Sequence, residues 1–128
     1  MKNKQLLQLV NNINAVIGSS ETKTQKKLVK IFEKVKKHHE DYQAEVEILR
    51  LDNAQTDDKD CLLLDDKGSY RYSKEGIKKL TKDIEALNDK DFDFQIINVV
   101  NQDGLKDFTF LQDWTTGIEF NKQEEEEL

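Results

Sequence analysis

Proline is absent from this 128-residue chain, so nothing in it forbids long uninterrupted helices. Cysteine occurs once, at Cys61. A lone thiol forms no internal disulfide, and the chain makes no demand for an oxidising compartment. Long apolar runs are missing too. The opening MKNKQLLQLVNNINAVIG starts basic in the manner of a signal peptide, but Gln and Asn break its apolar residues. No run approaches the ~18 apolar residues of a membrane span, so neither secretion by a signal peptide nor membrane insertion is expected. Catalytic signatures are also lacking: there is no GxSxG, no phosphate-binding glycine loop and no evident base for the cysteine. The expectation is a protein that is not an enzyme and has neither cofactor nor small-molecule substrate.

What is present is charge, and it is uneven. Charged residues make up 36% of the chain, as do apolar ones, and the apolar residues are patterned, which a disordered chain does not require. Residues 1–50 hold ten Lys/Arg against six Asp/Glu, whereas residues 51–128 hold ten against twenty. Such polarity favours an oriented contact with a charged partner or with another copy of the chain.

Helical periodicity dominates the first fifty residues. Leu6, Val10, Ile13 and Ile17 form one stripe, and Gly18 suits the left-handed residue that ends a helix. Thr22 with Gln25 reads as a capping box opening a second helix. Leu28, Phe32, Val35, His39, Tyr42, Val46 and Leu49 then alternate steps of four and three, a heptad-like seam. Two helices joined by so short a turn predict an antiparallel hairpin over 3–50. The second helix outruns the first, so its far end, around Tyr42, Val46 and Leu49, is the expected contact surface.

Beyond the polar loop DNAQTDDKD, CLLLD predicts a short buried strand, with Cys61 packed in it. DKGS predicts a turn with Gly68 at positive φ, and SYRYS a half-buried strand. Ser73 caps a helix over KEGIKKLTKDIEALN, although Gly76 weakens its first turn. DFDFQIINVV predicts a strand entering a core. DFTFLQDWTTGIEF predicts a short last helix closed by Gly117, with a strand as the second choice, and Trp114 is expected in the core. The fold class is α+β: a helical hairpin (3–50) and a compact part (61–120) with a small antiparallel sheet and two shorter helices. Residues 1–120 make one domain, and 121–128 an acidic tail.

Three clusters suggest chemistry. His38, Asp41 and Glu45 share a helix face, but without HExxH or any zinc spacing they predict no metal site; His38 is expected to be solvated and His39 to lie in the seam. The acids of DNAQTDDKD and LDDKG lack the calcium-loop spacing. Lys23, Lys26, Lys27, Lys30 and Lys34 form a basic face able to track phosphates, though no arginine is interleaved with them and the one aromatic among them, Phe32, belongs to the apolar seam. Tyr70 and Tyr72 are candidate interface anchors.

The order of these elements resembles a family of small uncharacterised tailed-bacteriophage proteins. In that family a helix with a late arginine, matched by Arg50, precedes an acidic loop. A D-x-x-G-x-Y-x-[FY] hairpin follows, matched by Asp65, Gly68, Tyr70 and Tyr72, and then a helix closing on a leucine, matched by Leu87. Lys59 and Asp60 stand where the family has a glycine after its acidic loop. The resemblance spans about residues 25–118 and brings no catalytic residues with it. It implies a non-catalytic protein of the host cytoplasm or the virion, acting by protein–protein contact as a virion component or assembly factor. The alternatives are an effector inhibiting a host protein through the acidic half, and a nucleic-acid-binding accessory protein using the Lys23–Lys37 face.

Overall fold

A computed structural model describes residues 1–121, and within them the chain is α+β. Its elements are α1 (Asn3–Ile17), α2 (Thr22–Asn53), α3 (Lys74–Asn88), β1 (Ile97–Asn98), a 3-10 turn (Thr109–Leu111) and β2 (Thr115–Thr116). Residues 122–128, which hold most of the expected acidic tail, lie outside the described residues. Contacts divide the described residues into two compact units: one of residues 1, 5–37 and 93–121, the other of residues 2–4 and 38–92. The division falls within α2.

In the first unit the core is aliphatic. Leu6, Leu9, Val10 and Ile13 of α1 are buried, as are Leu28, Ile31 and Val35 of α2, and Leu105, Leu111 and Trp114. Burying each large apolar side chain stabilises by about 1.5–3 kcal/mol. Trp114 meets Phe94 edge to face, centroids 4.9 Å apart. The α1–α2 connection departs from the expected caps. Gly18 is not among the glycines with positive φ; instead the Ser20 hydroxyl donates to Val16 O at 2.6 Å. Thr22 is the first helical residue and not an N-cap, and the Gln25 amide donates to Ile17 O at 2.8 Å. The antiparallel hairpin expected over 3–50 is not shown. The seam of α2 is divided, Leu28 and Val35 serving the first unit while Tyr42 and Val46 are buried in the second.

The sheet is parallel, which corrects the antiparallel expectation. Ile97 pairs with Thr115 and Asn98 with Thr116. The segment between the strands turns through the 3-10 helix and returns in the same direction. The expected last helix therefore shrinks to three residues, and Gly117, at φ +92°, follows β2 instead of closing a helix. A side chain there would meet Val99 O. DFDFQIINVV is only half buried: Phe94 packs on Trp114, while Ile96 is half exposed and Val100 is 95% exposed.

In the second unit Tyr42, Val46, Leu80 and Leu87 are buried. Asn3 is buried with them, its amide donating to Leu87 O at 2.8 Å. Ser73 caps α3 as expected, its hydroxyl accepting from Gly76 N at 3.0 Å. Ahead of α3 lies an eight-residue repeat. In DDKDC (57–61) and DDKGS (65–69) the first Asp carboxylate accepts from the amides two and four residues on, at 2.8 and 3.0 Å in both loops. The fourth residue of each has positive φ, Asp60 at +61° and Gly68 at +81°. Ser73 stands one further step of eight along. The residues two before each of these caps close a ring of backbone hydrogen bonds: Gln55 N to Arg71 O at 2.8 Å, Arg71 N to Leu63 O at 3.1 Å and Leu63 N to Gln55 O at 3.0 Å. This ring takes the place of the expected strands, leaving isolated antiparallel bridges at Thr56–Leu62 and Leu64–Tyr70. CLLLD is consequently not a buried strand, and Leu62, Leu64 and Cys61 are exposed.

Candidate functional site

Two surfaces carry the residues singled out in the sequence, one in each unit. In the second unit, Tyr42 and Val46 are both only 8% exposed, so they are core, not contact surface. The heptad seam that singled them out is the buried stripe of the helix. The Tyr42 hydroxyl donates to Asn88 Oδ1 at 2.5 Å, and burial raises its pKa above the ordinary value, against a smaller opposing effect of Arg50. Leu49 is half buried. Tyr70 and Tyr72 are half buried as well and, with Glu47, Arg50, Gly68 and Ser69, line a shallow depression. The Tyr70 hydroxyl donates to Glu47 Oε1 at 2.5 Å, and that hydrogen bond, followed by desolvation, raises the Tyr70 pKa.

The apolar residues that do face outward in this unit are Ile48 (57% exposed), Leu51, Leu62, Leu64 and Ile77. Ile48 and Leu51 each sit two places past a seam residue, Val46 and Leu49 respectively, off the stripe that the periodicity marks, and so escaped notice. The available signal was an isoleucine and a leucine among charged neighbours in EVEILRLD. Ile48, Leu49, Ala86 and Leu87 form the apolar wall of an open trough of about 680 Å³ between α2 and α3. Its rim carries both signs, with Glu45, Asp83 and Asp89 beside Lys79 and Lys90. Asp83 accepts from Lys79 Nζ at 2.8 Å and from Asn53 Nδ2 at 3.3 Å. These two bonds, that from Lys79 foremost, hold its carboxyl below the usual range.

The first unit gathers the lysines. Lys27, Lys30, Ile31 and Lys34, spaced as neighbours along one helix face, share a cavity of about 380 Å³ with Ile97, Asn98, Val99, Val100, Asn101 and Leu105. A second hollow, of about 420 Å³, adjoins Lys23, Lys26, Lys27 and Lys30. All five expected lysines thus border one basic region. Lys27 is tied to Asn101 Oδ1 and Asp103 O. The sequence marked the lysines but not the apolar floor that the 97–105 segment supplies.

His38 is not solvated as expected: it is half buried, its ring 4.7 Å from that of Phe92. His38, Asp41 and Glu45 do border one small hollow, yet among the described residues no group of three or more His, Cys, Asp or Glu is placed to hold a metal ion. No helix among the described residues is long and apolar enough to cross a membrane. Fold and surfaces together define an α+β protein with one apolar trough and one basic, apolar-floored groove. Comparison with protein-family models, curated proteins and solved structures finds no match.

Proposed function

We propose that this is a non-catalytic protein acting by protein–protein contact, a structural or assembly component of a tailed phage, and that its contact is with a second copy of itself across the α2–α3 trough. The observation that carries the contact is Ile48, 57% exposed and lining that trough. An apolar projection beside an apolar hollow, rimmed by both charge signs, is self-complementary, as an isologous two-fold contact requires. A partner of one strong charge would be a poorer match to such a rim. The phage assignment is supported by the resemblance around Asp65, Gly68, Tyr70 and Tyr72.

The experiment is sedimentation of the intact protein over a concentration series, beside Ile48→Glu and Leu51→Glu. The wild-type chain is expected to dimerise. Losing one buried Ile at about 1.5–3 kcal/mol should weaken the dimer at least tenfold. A wild type that stays monomeric at high concentration, or a dimer indifferent to Ile48→Glu, would remove the self-association. Mass spectrometry of purified particles tests the assembly role: absence from particles, with a single host protein co-purifying, would favour the inhibitor.

A further inference from the structure

The basic groove in the first unit combines a charge pattern, an apolar floor and a strand edge. Along α2, Lys27, Ile31 and Lys34 stand four and three residues apart, a charge–apolar–charge stripe with Lys30 beside it. Lys30 and Lys34 have no ion-pair partner among the described residues, and no carboxylate lines the groove. The floor is aliphatic: Ile31 and Leu105 are buried, and Val100, 95% exposed, lines it too. The edge is β1. Ile97 N donates to Trp114 O and Val99 N to Thr116 O, so the N–H and C=O of Asn98 between them project to the side of β1 that no strand covers.

Nucleic acid meets only the charge. A phosphodiester backbone has no N–H to give a strand edge, and the groove offers neither an aromatic side chain for bases to stack on nor an arginine. An extended acidic peptide meets all three features. Its backbone pairs with the edge, and its side chains alternate, so residues two apart face α2 together. In the pattern acid–x–aliphatic–x–acid the two acids stand about 13 Å apart at ~3.3 Å per residue. Lys27 and Lys34 are about 10 Å apart at 1.5 Å per residue of helix, a difference their flexible stems take up, and the aliphatic residue then falls opposite Ile31. We infer that the groove takes such a segment of another protein as a strand added beside β1, its carboxylates at Lys30 and Lys34 and its aliphatic side chain on the floor. This chain's own instances of the pattern, at Glu85, Leu87 and Asp89 and at Asp103, Leu105 and Asp107, have their leucines buried, which leaves the role to another protein. The groove belongs to the first unit and the trough to the second, so the docking does not depend on self-association.

The test is titration of the intact, isotopically labelled protein with the peptide TETLTET, capped at both ends and followed by amide chemical shifts. Shifts should centre on Lys30, Lys34 and residues 97–101 and saturate below about 1 mM peptide. Exchange of the Asn98 amide should slow as the added strand covers it. Changing the exposed pair together, Lys30→Glu with Lys34→Glu, should weaken binding about tenfold. The charge-reversed peptide TKTLTKT reads the same requirement on the wild-type chain and should not bind, while TETSTET, without the aliphatic residue, should bind more weakly. A TETLTET peptide that fails to bind, binds without slowing Asn98 exchange, or binds no better than TKTLTKT would overturn the inference. A single-stranded oligonucleotide that shifts the same residues at lower concentration than the peptide would assign the face to nucleic acid and overturn it as well.

Discussion

At the scale of the residue, Gly76 opposes two effects that can be ranked. Helix propensity alone favours alanine in a helical position by up to about 1 kcal/mol. A Cβ on Gly76, however, would sit 2.8 Å from Asn53 O, a backbone atom with little room to move. Overpacking of this kind costs about 1–3 kcal/mol, so Gly76→Ala should destabilise by roughly 1 kcal/mol, read as a lower urea midpoint with an unchanged slope. The glycine that weakened the sequence reading of α3 is thus there for close approach. Asp83 gives the pH dependence. Its folded pKa is depressed, so its contribution is present above the unfolded aspartate value near 3.9 and is lost as pH falls through the lower folded value. Asp83→Asn should therefore be less stable than wild type at pH 7, with the difference closing below about pH 4 in paired denaturant titrations.

At the scale of the element, what could be read from the sequence was whatever depends on local spacing. The stripes of α1 and α2, the Ser73 cap and the Gly68 turn all follow from near neighbours. Boundaries set by long-range pairing could not be read that way. Ile97 and Asn98 form a strand only because Thr115 and Thr116 return beside them, and no local pattern in DFDFQIINVV reports its parallel partner. The two five-residue loops were half legible: DDK occurs twice, eight residues apart, but read as acidic loops they hid a shared hydrogen-bond pattern. Asp60 occupies the position that Gly68 fills in the second copy. Its left-handed backbone costs a non-glycine residue about 1–2 kcal/mol, part of which glycine returns as unfolded-chain entropy. Asp60→Gly should accordingly be neutral to stabilising by up to about 1 kcal/mol, measured by thermal melting. A clear loss would show that the aspartate side chain has a separate role. The same logic explains the contact surface: periodicity finds the buried stripe, so it pointed to Tyr42 and Val46, while Ile48 is known to be exposed only once α3 is in place.

At the scale of the whole molecule, the uneven charge of the sequence becomes local. Lysines 23 to 37 belong to the first unit, and the acids of the repeated loops to the second. Among the described residues, the exposed large apolar residues Ile48, Leu51, Leu62, Leu64 and Ile77 belong to the second unit, and Val29, Ile96 and Val100 to the first. The sequence therefore announced the charge polarity while leaving open which apolar residues face outward. Cys61, expected inside a strand, lies instead on the outside of the first repeated loop. The chain's single thiol is thus a ready-made chemical handle: a maleimide dye should label the native protein at a one-to-one ratio, without engineering and without denaturant. The same accessibility has a cost on storage. In air, two chains should slowly join through their sulfurs, giving a dimer that runs at double mass on a non-reducing gel and is abolished by dithiothreitol or Cys61→Ser.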